Sequence, residues 1–89
     1  MIIRAITKTS KKVLDKYIIY MWDASCLSLS DNCDSPQGVS QWAEGCFSDG
    51  ELDLAANSNL KLSQDEILIN FYDLPQNVQE HAKNRIRQN

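Results

Sequence analysis

Three residue types in this chain have side chains suited to chemistry: three cysteines, one histidine and a dense set of carboxylates. The cysteines are Cys26, Cys33 and Cys46, spaced C-x6-C-x12-C, and the histidine is His81, far away near the other end of the chain. A Cys–His nucleophilic pair needs the imidazole beside the thiol and a lowered thiol pKa. Here Cys33 lies between Asp31 and Asp34, and Cys46 has Glu44 and Asp49 nearby. Neighbouring carboxylates disfavour a thiolate, so the thiols are expected to be inert. The three cysteines with His81 also make a possible Cys3His zinc set, which would help a small domain. The short C-x2-C spacing that makes zinc motifs specific is missing. Asp31-x-x-Asp34 and Asp49-Gly-Glu-Leu-Asp53 offer oxygen ligands, but neither fits a twelve-residue calcium loop. No catalytic or cofactor motif stands out, and the chain reads as a non-enzyme with no cofactor and no metal site.

Charge is distributed unevenly. Residues 17–60 hold Asp23, Asp31, Asp34, Glu44, Asp49, Glu51 and Asp53, with no Lys or Arg, and both tryptophans. The first sixteen residues hold Arg4, Lys8, Lys11, Lys12 and Lys16 against Asp15 alone. A net charge of −3 therefore hides an acidic block beside a basic one. Asp49 and Glu51 have a local use at a helix start, where negative charge is favoured. Asp23, Asp31, Asp34, Glu44 and Asp53 have no such use, and with Trp42 as an aromatic anchor they are the expected protein-binding residues. An acidic face is steered towards basic partners, including proteins that grip nucleic acid.

The elements must position these residues. Eighty-nine residues with 43% hydrophobic content suggest one small domain, residues 1–89, with a single core. The β-branched start, residues 1–7, reads as a strand. It needs a partner, for which residues 26–30, 59–62 or an extended 13–22 are available. Residues 11–24 carry Val13, Leu14, Tyr17, Ile18, Tyr20, Met21 and Ala24 at helical spacing. Tyr-Ile-Ile-Tyr-Met-Trp equally has strand propensity, but a hairpin loop at 8–12 would lack Gly and Asn, so helix is favoured. Ser35-Pro36 followed by Val39, Trp42, Ala43, Cys46 and Phe47 predicts a helix over 36–47. Two capping boxes with hydrophobic staples, around Ser48/Glu51 and Ser63/Glu66, predict helices over 49–57 and 64–72. Asp73-Leu74-Pro75 starts the last helix, with Lys83, Arg85 and Arg87 complementing its C-terminal dipole.

The expected fold is thus α+β and mainly helical: a short N-terminal strand and four to five short helices, with an all-α arrangement as the alternative. The longest apolar run, residues 17–22, is too short to span a bilayer, and no export signal is evident. The default compartment is the cytoplasm, where all three thiols would be reduced. The functional expectation is a non-enzymatic binding module. It would be a small acidic inhibitor or accessory protein of the anti-defence or antitoxin kind, docking its acidic face on a basic partner protein. The alternatives are a metal-supported domain using Cys26, Cys33 and Cys46, and a nucleic-acid binder led by the basic N-terminal arm. A helix-turn-helix over 54–72 finds no support, because its reading helix would present Asp65 and Glu66 and no basic side chain. Direct nucleic-acid binding is accordingly the weaker expectation, and no membrane partner is implied.

Overall fold

A computed structural model describes residues 3–23, 25–44 and 65–87, and among these the architecture is a five-stranded antiparallel sheet with one α-helix packed on it. The strands are β1 (Ile3–Thr9), β2 (Tyr17–Met21), β3 (Cys26–Leu29), β4 (Ser40–Ala43) and β5 (Glu66–Ile69). A 3-10 turn at Phe71–Asp73 leads into α1 (Gln76–Arg87). Strand order is β4-β3-β2-β1-β5, a four-strand meander with β5 added beside β1.

This overturns the mainly helical expectation. The expected N-terminal strand is present as β1, and the last helix is present as α1. Residues 17–21 are a strand, not part of a helix over 11–24, and they pair with β1 from Lys8↔Tyr17 to Ile3↔Met21. The hairpin closes without Gly or Asn. Two tight three-residue turns do the work, with Val13 N donating to Lys11 O and Lys16 N to Leu14 O, both at 2.9 Å. Residues 40–43 are likewise a strand, not the middle of a helix over 36–47, and Ser35-Pro36 sits in the β3–β4 loop. Residues 66–69 pair with β1 where a helix over 64–72 was expected. The helix expected over 49–57 and the possible strand at 59–62 lie outside the described residues.

Register explains why strands form here. Paired residues share a face, so Ile69, Ile6, Ile19, Leu27 and Trp42 make one continuous row across all five strands. Ile6, Ile19 and Leu27 are buried in that row, with Trp42 and Ile69 packed at its ends. Leu74, Val78 and Ala82 close over it from α1 and the segment before it. Each fully buried aliphatic side chain in this layer stabilises the fold by about 1.5–3 kcal/mol. The opposite face carries Leu68, Thr7, Ile18, Ser28 and Gln41 in the next row. Buried polar groups are paired locally. Gln79 Nε2 donates to Leu74 O at 2.8 Å, fixing the first turn of α1 against the segment that enters it.

The β3–β4 loop is closed by Ser30. Its Oγ accepts from Val39 N at 2.8 Å and bonds Asn32 Oδ1 at 2.7 Å, while Ser30 N donates to Val39 O at 3.1 Å. Gly38 must be glycine, because a Cβ there would collide with the Asn32 carbonyl and come within 2.8 Å of Cys33 Cα.

Candidate functional site

The acidic residues do not gather on one face. Asp31 and Asp34 lie in the β3–β4 loop, at one end of the sheet. Asp23 is in the β2–β3 turn and Glu44 just follows β4, at the opposite end, because Tyr20 pairs with Cys26 and Cys26 with Ala43. Asp53 lies outside the described residues.

Asp31 is engaged internally. Its Oδ1 accepts from the Tyr17 hydroxyl at 2.7 Å, and its Oδ2 sits 3.0 Å from Lys16 Nζ. The Tyr17 bond first, and Lys16 second, hold its carboxyl below the ordinary value. Burial first, and Asp31 second, push the Tyr17 phenol up to about 12. Asn77, at the start of α1, donates to Asp31 O at 2.7 Å and reaches Asp34 Oδ1 at 3.4 Å. These contacts tie loop, strand and helix together. Trp42 is half-buried against the core row, which gives it packing to do.

The other end of the sheet is different. Trp22 is 62% exposed. Arg4 from β1 stacks its guanidinium 4.6 Å from the Trp22 ring centroid. The adjacent Asp23 accepts from Ser25 N at 3.0 Å and from the Ser25 hydroxyl. The hydroxyl bond first, then the amide, lower its pKa, so Asp23 stays charged. Glu44 is exposed at the same end of the sheet, just after β4 and two strands away from β2. An exposed tryptophan stacked against an arginine and next in sequence to one carboxylate is the arrangement found at this end, with a second carboxylate at the end of β4, two strands across. The signal for it was present in the sequence: the apolar run of β2 stops at Trp22-Asp23.

The chemical constellations are sparse. Ser40 Oγ and His81 Nε2 lie 2.7 Å apart, a nucleophile–base spacing. Among the described residues, no carboxylate bonds the other ring nitrogen to orient it. Arg85, one turn on, reaches Ser40 O only at 3.5 Å, and its Nε is buried without a partner. The Ser40–His81 bond therefore fastens α1 to β4.

The cysteines part company. Cys33 is a buried free thiol, its pKa raised by burial and then by Asp34. Cys26 is disulfide-bonded, against the expectation that all three were reduced. Cys46 lies outside the described residues. Among the described residues, no group of three His, Cys, Asp or Glu is placed to hold a metal. The bonded Cys26 sulfur is also not available as a thiolate ligand.

In the basic arm Lys16 pairs with Asp31, while Thr9 and Ser10 join the arm to β5 through strand register and a 2.8 Å bond from Ser10 N to the Asp65 backbone carbonyl. A concavity of about 200 Å³ on the open sheet face is rimmed by Lys11, Lys16, Asp15 and Glu66, whose charges cancel. No helix among the described residues is long and apolar enough to cross a membrane. No known protein family, curated protein or solved structure matches this chain.

Proposed function

We propose that the protein is a non-enzymatic binding module that meets a basic partner protein through the Trp22 end of its sheet. The observation that carries the reading is Trp22 itself. Its ring is 62% exposed yet held in place by Arg4 at 4.6 Å. A tryptophan costs little side-chain entropy to order and fills a partner's pocket with large apolar area, which is why it dominates binding hot spots. Asp23 beside it, and Glu44 at the same end of the sheet, supply the charge that selects a basic partner and speeds encounter. An inhibitor or accessory role follows from this: a small domain that acts by occupying a basic surface needs no reactive group of its own.

The acidic face is narrower than the full set of carboxylates. Asp31 and Asp34 hold the β3–β4 loop to Tyr17, Lys16 and Asn77, so they support the site's scaffold and not its contact surface. The cytoplasmic expectation came from the lack of an evident export signal, and it carried reduced thiols with it. The disulfide at Cys26 speaks for an oxidising compartment instead, where such bonds persist.

Capture from host lysate on immobilised protein tests the binding reading, at low and high salt. Proteins retained by the wild type at low salt should be lost from Trp22→Ala and from the Asp23→Lys/Glu44→Lys double variant. The same retention by all three proteins would rule out this end as the binding surface.

A further inference from the structure

The states of Cys26 and Cys33 together determine that of the third cysteine. Cys26 is disulfide-bonded, whereas Cys33 is a buried free thiol. Cys26 opens β3, an interior strand, with Tyr20 of β2 opposite it on one side and Ala43 of β4 on the other. It is 5% exposed. A residue so enclosed leaves no room for a thiol brought by a second chain, so its partner comes from its own chain. With Cys33 free, Cys46 is the one cysteine left.

We infer that Cys26 and Cys46 form an intramolecular disulfide that staples the open end of the β3–β4 hairpin. Cys46 lies outside the described residues, and the surroundings of Cys26 carry the assignment. Residues directly opposite on an antiparallel pair have Cα atoms about 4.5–5.5 Å apart, and a disulfide joins Cα atoms about 4.4–6.8 Å apart. Cys26 faces Ala43, so a partner has to come from close to Ala43. Cys46 is three residues past Ala43, and the chain bends at Glu44 as soon as β4 ends. Cys33 fails the same test. β3 runs extended from Cys26 to Leu29, which at about 3.3 Å per residue carries the chain about 10 Å away before the loop holding Cys33 begins. The loop end of the hairpin is already fastened, with Ser30 N donating to Val39 O at 3.1 Å and Val39 N to Ser30 Oγ at 2.8 Å. Among the described residues β4 is an edge strand of four residues paired with β3 alone, so it gains most from a covalent tie. Cross-linking residues about twenty positions apart also removes loop-closure entropy from the unfolded chain. The bond forms by thiol–disulfide exchange. Both Sγ atoms give up their protons, two electrons pass to a donor disulfide, and the donor leaves as two thiols.

Fragment mapping tests the pairing. The full chain is refolded from the reduced, denatured state with oxidised and reduced glutathione, then denatured with a thiol-alkylating reagent and no reductant. Its intact mass should be that of one chain carrying one alkyl group. Cleavage before aspartate then separates the cysteines: residues 23–30 hold Cys26, 31–33 hold Cys33 and 34–48 hold Cys46. Fragments 23–30 and 34–48 should travel as one species, two hydrogens lighter than their sum, and part on reduction. The alkyl group should sit on 31–33. Cys33→Ser should keep the linked species and take up no alkyl group. Three alkyl groups on the refolded wild type would overturn the assignment. So would a link between 23–30 and 31–33, a glutathione adduct on 23–30, or a disulfide between two copies.

Discussion

Removing the Tyr17 hydroxyl tests whether the tie between β2 and the β3–β4 loop stabilises the protein as the geometry requires. The Tyr17 ring is 4% exposed and its hydroxyl donates to Asp31 at 2.7 Å. Burial and the adjacent carboxylate both penalise the phenolate, raising the pKa from 10.0 to about 12. A raised folded-state pKa means that the folded protein keeps its proton over a range in which the unfolded chain has lost it. The associated stability is fully present below pH 10 and disappears as pH rises towards 12. Two pKa units correspond to about 2.7 kcal/mol at 1.36 kcal/mol each. Asp31 is itself half-exposed, so solvent screening makes this a ceiling and about 2 kcal/mol the working value.

The assay is urea unfolding of wild type and Tyr17→Phe at steps from pH 9 to pH 12. The difference in unfolding free energy between the two proteins cancels every titration they share. That difference should be constant near pH 9 and fall by about 2 kcal/mol by pH 12. Asp31→Asn should narrow the fall but not abolish it, because burial is the larger cause of the Tyr17 shift. A wild-type-minus-Phe difference that does not change with pH would show that the Tyr17–Asp31 arrangement is wrong.

On the acid side the sign reverses. Asp31 has a lowered pKa, so its contribution is present above the unfolded value of about 3.9 and is lost as pH falls through the folded value. Asp31→Asn should flatten the acid limb of the stability curve by about 0.5–1 kcal/mol, the scale of a half-exposed pair, measured by urea midpoints between pH 5 and pH 2. Gly38→Ala should destabilise by about 2–3 kcal/mol, because the added methyl meets the backbone of Asn32 and Cys33, which cannot rotate away. A thermal midpoint within a degree of wild type would contradict that packing. Reductant should lower the melting temperature by the equivalent of about 2–5 kcal/mol through loss of the Cys26 disulfide. Cys33 should meanwhile react with a thiol reagent only at the rate of unfolding, since it is buried and its thiolate is disfavoured.

What could be read from the sequence was local, and what could not was the pairing between distant segments. β1 was legible because its β-branched residues have no competing helical pattern, and α1 because Pro75 and the terminal arginines mark its ends. The Tyr17–Met21 strand was not, for a physical reason. A strand with one wet face alternates apolar and polar residues, whereas here Ile18 and Tyr20 on the open face are half-buried beside buried Tyr17, Ile19 and Met21. Apolar residues on both faces form a broad stripe that fits helical spacing equally well. Glu66 matched a capping box with Ser63, but its strand pairs with Thr9, fifty-seven positions away, and that ladder overrode the local signal. The site shows the same division. Asp31 looked unassigned because its partner Tyr17 is fourteen positions distant, and only the hairpin geometry brings them together.

The folded arrangement changes what the acidic block means. Charge counted along residues 17–60 suggested one extended face, but antiparallel strands send successive turns to opposite ends of the sheet. Asp31 and Asp34 go to one end, and Asp23 and Glu44 to the other. Of these four only Asp23 adjoins the exposed Trp22, so the charge that could steer a partner to that end is local to one turn and not spread along residues 17–60.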